Sequence, residues 1–528
     1  MIFPLSVLAT QCRLPAALML PVALVAGGAT AHPLSPPDSL RASFDSLLYR
    51  RLLLPLNAWQ YPIPSGASVA GLGENNPAAL VQARLPAYGR LEVSGRIQEG
   101  SWRRPQQARR ELAGGFSTDG YRRRGAWHAY GNAGYERQEG TQVRWANNEN
   151  PFDGNPYQWA DSVGGTWQRD YLRAHMEVAR TFGSHLTLGV GLGYQAGQGA
   201  RESNPRPYFL SRVATIAPGV WWQKGRHAAG LSFSLTTARE QNESGQQADQ
   251  FPLVYRLRGL GTFSATPIVT GERQTDGQHW KGQGQYQYIG AAGSHWLALF
   301  AAGYRHAAVE LSELRNSHQN LPVILLLPGG TLREHTATGQ LSLLRPTNWG
   351  RWLVQGHYEW LRRRGTDPLF GFVNALEDEH YISARVQVMP GPAGRQAFTL
   401  RLGLRDQQMQ DLAALTRWDS RRGQAELTYQ RRVGGQGRWG AMVEPAIGYE
   451  PQLSRTFLTA RPSRFLLAVA RPDFQARTAS AAYVGLGGAA EHWLPDGRAL
   501  RLRLSGRYMN TDALGYRITG HAGVEWLF

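Results

Sequence analysis

The sequence predicts an all-β protein, a transmembrane antiparallel β-barrel of about 16 strands, within a range of 14 to 18. Three observations predict it: a residue alternation of period two that recurs from about residue 90 to the end, a secretory leader, and a closing strand that ends on an aromatic residue. The stretch "RALRLRLSGRY" (498–508) states the pattern. Leu500, Leu502 and Leu504 share one face of an extended chain, and Arg501, Arg503, Ser505 and Arg507 share the other. A soluble sandwich would turn the leucines to a core and the arginines to water. A barrel turns the leucines to lipid and the arginines to a wet lumen, and the rest of the chain decides between the two.

Residues 1–31 read as a signal peptide. Arg13 precedes the apolar run "LPAALMLPVALVAGG", and Ala29–Ala31 forms a small-x-small cleavage site. The run is broken by Pro15 and Pro21, which argues against a membrane anchor. Cys12 is the only cysteine, so the exported chain carries no disulfide and no thiolate metal site. The expected address is the outer membrane of a Gram-negative cell.

Residues 32–88 are expected to form an N-terminal helix and a plug or periplasmic segment. In "DSLRASFDSLLYRRLLL" (38–54), Asp38 or Ser39 caps a helix, Leu40, Phe44, Leu47 and Leu48 share a face, and Pro55 ends it. The segment is far shorter than a globular receptor plug, and no TonB-contacting box is evident.

The barrel is expected over 89–528. "RLEVSGRIQ", "HLTLGVGLGYQ", "GLSFSLTTA", "YISARVQVM" and "FTLRLGLRD" all alternate, each about the length of a tilted membrane strand. Tight connections ("FGSH" 182–185, "QKGRH" 223–227, "GGQGR" 434–438) alternate with longer polar ones (146–166, 238–252, 306–334, 362–379), the sorting expected of periplasmic turns and outer loops. Trp221, Trp222, Trp439 and Trp493 lie near turns, where interfacial girdles sit. "YRITGHAGVEWLF" closes the chain. It resembles the terminal strand of bacterial outer-membrane proteins, which implies that Trp526 and Phe528 form the signal read by the barrel-assembly machinery.

The formal net charge of +18 comes almost wholly from arginine, with lysine only at 224 and 281. Nucleic acid is not an expected partner of an exported chain. Lipopolysaccharide phosphates at the rim, or a small anionic solute in the lumen, suit the charge better. If the apolar faces meet lipid, Arg96, Arg385, Arg401, Arg405, Arg501, Arg503 and Arg507 must face inward, since an outward arginine at midplane costs about 2–4 kcal/mol. There they either form a cationic ladder that contacts solute or pair with inward acids such as Glu92, Glu359 and Glu426. The loop "WANNENPFDGNPYQWADSVGG" (145–165) gathers Asn148, Asn150, Asp153, Asn155, Trp159 and Asp161. That set suits an ion or a glycan, and equally the needs of turns. His357, His380 and His521 fall in strands without a catalytic partner set, so no enzyme, cofactor or metal site is expected.

Two resemblances add to this. "NPAAL" (76–80) is similar to the Asn-Pro-Ala stretch of fatty-acid-transporter-like barrels, which implies an inward-folded N-terminal segment. Residues 120–194, from "GYRRRGAWHAYGNAGYERQEG" through the Asn/Asp/aromatic loop to the "GG" strand entry, resemble an uncharacterised outer-membrane barrel family of Bacteroidota type. That resemblance implies fold and compartment and carries no catalytic residue across. The functional expectation is a porin-like channel or transporter for small, preferably anionic, solutes. The alternatives are a surface scaffold, adhesin or partner subunit of an export or uptake complex, and, third, a hydrophobic-ligand channel. Inward Gly189, Gly191, Gly193 and Gly403 favour open space in the lumen.

Overall fold

A computed structural model describes residues 76–82, 87–245, 253–267, 270–290, 294–316, 322–391, 395–434 and 438–528. The expected signal peptide, the helix expected over 38–54 and the centre of "GGQGR" lie outside the described residues. The chain winds up and down as antiparallel neighbours, and the last strand returns to the first. Gly515–Leu527 pairs with Tyr88–Gly100 from Arg90↔Leu527 to Gly100↔Arg517, so the sheet is closed. Phe528 extends the seam by a mutual backbone pair with Gly89 at 2.7 and 2.9 Å.

Trp439–Glu450 and Gln452–Thr459 pair with opposite ends of one neighbour, Thr416–Gly434. They are therefore one stave interrupted at Pro451, which has no N–H to give a ladder. Counted this way the described residues form eighteen staves, two more than the sixteen expected and at the top of the range.

Period two dictates which face is which. Leu502 is 45% exposed and Arg501 4%. The same parity holds on every quoted strand: Leu188, Val190 and Leu192, or Leu400, Leu402 and Leu404, point out, while Thr187, Gly189 and Arg401 take the opposite face. An apolar band therefore wraps the exterior, and the polar side chains are enclosed. The tight ends carry glycines in the left-handed region, Gly125 at φ +59 and Gly225 at φ +58, which side chains with a Cβ resist.

Three of the four stretches expected as outer loops are mostly strand. His295–Asn316 and Pro322–Thr347 form one long hairpin across 306–334. Gly350–Asp367 and Phe372–Pro390 turn at 367–372, and His227–Gly245 covers much of 238–252. A membrane strand needs about 9–11 residues, so these hairpins extend past the bilayer, and polar composition beyond lipid reads as loop.

The loop over 143–165 is genuine, but it folds inward. Trp159–Ala160 pairs with Leu253–Leu257, which pairs with Phe263–Pro267, making a three-stranded sheet from two different loops. A third inserted segment, residues 464–478, is helical: π-wound over Leu466–Ala470 and α-helical over Arg471–Thr478. The widened turn precedes Pro472, which cannot continue the ladder. Trp145, Tyr255, Leu257, Phe465 and Val469 pack these three segments into one apolar cluster. The loop end of the barrel is thus filled by its own connections.

At the opposite end Pro77–Gln82 forms a 3₁₀ turn against the wall. Asn76 donates from Nδ2 to the Val220 carbonyl (3.0 Å) and accepts the Ala78 N–H at Oδ1 (3.1 Å). A methyl group on Gly189 would sit 2.5 Å from the Ala78 nitrogen, so the glycine row is what admits this backbone. Trp221 is buried against Ala78 and Ala79. It was expected in the interfacial girdle; in the barrel it packs on the Pro77–Gln82 turn, and Trp222, 42% exposed, takes the outer position.

Candidate functional site

The lumen is the candidate site, and its side chains come from inward positions on many strands. Arg501 lies between Glu491 (3.1 Å) and Glu525 (3.2 Å), and Arg503 joins Glu525 at 2.8 Å. Arg96 pairs with Glu111 (3.0 Å), Arg405 with Glu379 (3.5 Å) and Arg507 with Glu426 (3.1 Å). Arg90, buried at the seam, holds Asp119 at 2.5 Å with Glu92 and Glu525 close by. Of the two arrangements open to the arginine rows, pairing is what the wall mostly uses. The physical reason is the low-dielectric enclosure, where an unpaired guanidinium is costly and a bonded pair tolerable.

Arg385 and Arg401 differ. Arg385 bonds the Gln387 amide oxygen (3.2 Å) and Arg401 the Tyr381 hydroxyl (3.1 Å). Together with Arg507, Glu426 and Glu444 they line a small cavity of about 50 Å³ in the wall. Three of the seven predicted arginines thus converge; Arg501 and Arg503 form a second group at the seam, and Arg96 and Arg405 stand apart. Of the other strand residues, Glu359 bonds His357 (2.8 Å) and His380 lies near Asp378 (3.4 Å).

The loop residues predicted for an ion or glycan are placed inside the barrel. Asn148, Asn155, Trp159 and Asp161 are buried. Asn150, Asp153, Asn155 and Asp161 each accept a backbone N–H two residues ahead, on Phe152, Asn155, Tyr157 and Val163. These are the Asx bonds that fold a turn. Asp161 also holds Arg201 at 2.5 Å with both side chains fully enclosed, and Asp153 reaches Arg305 at 3.3 Å. Among the described residues no group of three or more His, Cys, Asp or Glu is arranged to hold a metal.

Two further buried aspartates seat the plug. Asp367 holds Arg258 at 2.7 Å. Asp411 accepts the N–H groups of Gly261 (2.8 Å), Thr262 (2.9 Å) and Ala414 (3.0 Å), plus the Thr262 hydroxyl. Both stand where strands end and read in sequence as turn residues, so their long-range role had no signal. The inserted helix had one: Ser463 precedes the apolar "FLLAVA", and its Oγ accepts the Leu466 N–H at 3.1 Å.

Between the plug and the wall lies a cavity of about 170 Å³, bordered by Arg104, Phe152, Arg363, Glu377, Met409 and Arg477. Arg104 holds Asp473 (2.5 Å) and covers the Phe152 ring at 3.8 Å, and Arg363 bridges Glu334 and Glu377. Arg477 instead bonds the Gln407 amide oxygen at 2.7 Å.

Residues 77–528 match the Family of unknown function (DUF6850). The chain belongs to this family. No curated protein matches the chain. Among solved structures, it is similar to the ferric yersiniabactin uptake receptor FyuA from Yersinia pestis, at 9% identity over 83% of this chain and 80% of that one, TM-score 0.39. It is also similar to the ferric-catecholate import receptor Fiu from E. coli K12 (9% identity, 84% and 82% covered, TM-score 0.39) and to the TodX deltaS2S3 mutant monoaromatic hydrocarbon channel (12%, 88% and 94%, 0.32). Nothing about solute or partner follows from likenesses this distant. Among the described residues, the inserted segments pack together at the long-loop end of the lumen, and the Pro77–Gln82 turn lies against the wall at the other.

Two predictions follow from the plug contacts. Asp161→Ala strips a fully enclosed guanidinium of its carboxylate, a change that costs about 3–5 kcal/mol. Proteinase K should then cut within 146–158 in barrels that are resistant as wild type, while the barrel itself stays folded. The second concerns Glu149, half-buried beside Glu240: burial first, and then the neighbouring carboxylate, push its pKa up to about 7 from 4.5. The folded form therefore holds its proton more tightly than the unfolded form does, and seating is firmest at low pH and loosens as pH rises from about 4.5 to 7. Protease resistance of the loop should be greater at pH 5 than at pH 7.5, and Glu149→Gln should flatten that difference.

Proposed function

We propose that this barrel is a gated passage for small solutes, with anionic ones preferred, and that the loop-derived plug is its gate. The observation that carries the reading is the chemistry of the plug–wall contacts. On one side, Tyr157, Trp159 and Val254 pack on Val309 and Leu311 of the wall, an apolar anchor. The plug is also held by the polar contacts Asp161–Arg201, Asp153–Arg305, Arg258–Asp367 and the Asp411 cluster. Polar contacts of this kind exchange for water or solute at little net cost, whereas an apolar core does not. The inserted helix and the start of the loop have apolar seats of their own, Phe474 on Trp418 and Ala146 beside Trp167 and Phe209, so the part that can swing is the stretch between Ala146 and Tyr157, whose ion pair to the wall is Asp153–Arg305. Arg385 and Arg477, which bond amides rather than carboxylates, supply the cationic bias along the route.

The filled lumen also favours a second reading, in which the protein is an interaction barrel that passes nothing. Conductance in a planar bilayer separates the two. Under the passage reading, wild type shows small, brief steps, and replacing 146–158 with a short Gly-Ser link gives large, steady, anion-selective ones. Arg385→Glu combined with Arg401→Glu then weakens or inverts the selectivity. Silence of the loop-replaced barrel at all voltages would overturn passage and leave the interaction role.

A further inference from the structure

We infer that the outer face of the 295–367 region carries a binding site for a phosphorylated lipid headgroup of the outer leaflet, built by Arg333 and Arg364. Parity places them outside. Glu334 and Arg363 are cross-strand partners and bond each other at 2.5 Å inside the barrel, so their neighbours Arg333 and Arg364, partners in the next register position, face outward, and both are exposed. His306 lies opposite Arg333 on the strand beyond, and Arg362 stands opposite His335 in the adjoining row.

Two like charges directly opposite on neighbouring strands repel. Other outward arginines find a carboxylate within the chain: Arg239, which stands opposite Arg212, pairs with Asp276 across its other neighbour (2.6 Å), Arg421 with Asp406 across the strand pair (2.6 Å), and Arg417 with Asp419 along its own strand (2.8 Å). Here Asp378 is committed to Arg362 at 2.8 Å. Among the described residues no carboxylate lies within 4.0 Å of Arg333 or Arg364. The pair is arranged for an anion that comes from outside the chain.

Height identifies that anion. On Gly350–Asp367 the outward residues run Trp352, Val354, Gly356, Tyr358, Trp360, Arg362, Arg364, starting from the tight-turn end. Trp352 to Trp360 covers roughly 26 Å along the strand at about 3.3 Å per residue, or about 20 Å of membrane depth at the usual tilt of about 35–45°, most of the ~25 Å apolar band between aromatic girdles. Arg364 stands one strand repeat beyond Arg362 and two beyond Trp360, at headgroup level and on the long-loop side, which faces away from the periplasm. A free phosphate at such a site meets only solvated charges. A lipid sets its acyl chains on Phe300, Tyr358 and Ile382, all exposed, while its phosphate is held between two guanidinium forks. The inference rests on the membrane orientation and not on passage, so conductance results leave it untouched.

Native mass spectrometry of the detergent-purified barrel, titrated with diphosphoryl lipid A, tests the site. Wild type should retain one lipid through detergent exchange, and the Arg333→Glu/Arg364→Glu variant should retain at least tenfold less. Arg417→Glu, which disturbs a paired arginine at a similar height, should leave retention unchanged, and inorganic phosphate at millimolar concentration should not displace the lipid. Heat-modifiable migration reports that each barrel is folded; if the double reversal fails to fold, Arg333→Gln/Arg364→Gln reads out the same loss. Equal retention by wild type and the double variant overturns the site. Displacement by inorganic phosphate overturns the lipid as its ligand.

Discussion

In hydrocarbon a backbone N–H or C=O without a partner costs several kcal/mol, so a sheet that enters a bilayer has to have no edges. In this chain that requirement is met at one seam, where Arg90–Gly100 runs against Arg517–Leu527 and Phe528 locks onto Gly89. Closure divides the side chains by parity into lipid-facing and enclosed sets, and the +18 formal charge has to be arranged within that division. Leucine can occupy the outside along the whole band. Arginine within the band can only go in.

Once inside, arginine meets a second constraint. The enclosure is too dry for a bare guanidinium, so acids are interleaved at matching heights: Glu491, Glu525, Glu426, Glu111 and Glu379 each take a partner. Such pairs add little net stability, because desolvation consumes most of the Coulomb gain. What they supply is registry. A wall of pairs also makes a receptor for loops, and the plug uses the same chemistry, with Asp161, Asp367 and Asp411 docking loop to wall. Ion pairs therefore build the lumen wall and help to seat the loops inside it, beside the apolar clusters.

The wall was legible in the sequence because parity is local. "RALRLRLSGRY" states which face holds leucine without reference to any neighbour, and the tight turns and the terminal aromatic add the ends. The site was legible only in part. That Arg501 faces inward follows from Leu500 and Leu502; that it meets Glu491 and Glu525 depends on registers set by two hairpins. The loop 145–165 displayed its Asn and Asp residues plainly, yet whether they fold a turn inside or grip a ligand outside depends on Arg201 and Arg305, which lie 40 and 152 positions away. Residues 253–267 gave no signal, because their strands pair with another loop and not with the chain beside them. The glycine row at 189–193 suggested open space, and Pro77 and Ala78 use that space.

In a Cys12→Ser background, which removes the chain's only cysteine, single cysteines can be placed one at a time through Ala499–Thr511 in liposome-reconstituted barrels and spin-labelled. Collision with dissolved oxygen, set against collision with a water-soluble nickel chelate, then reports what each position faces. Positions 500, 502 and 504 should be oxygen-accessible and nickel-shielded, with 501, 503 and 507 shielded from oxygen, in strict alternation. A flat profile, or alternation of the opposite phase, would contradict a closed wall with its leucines in lipid and its guanidinium groups enclosed.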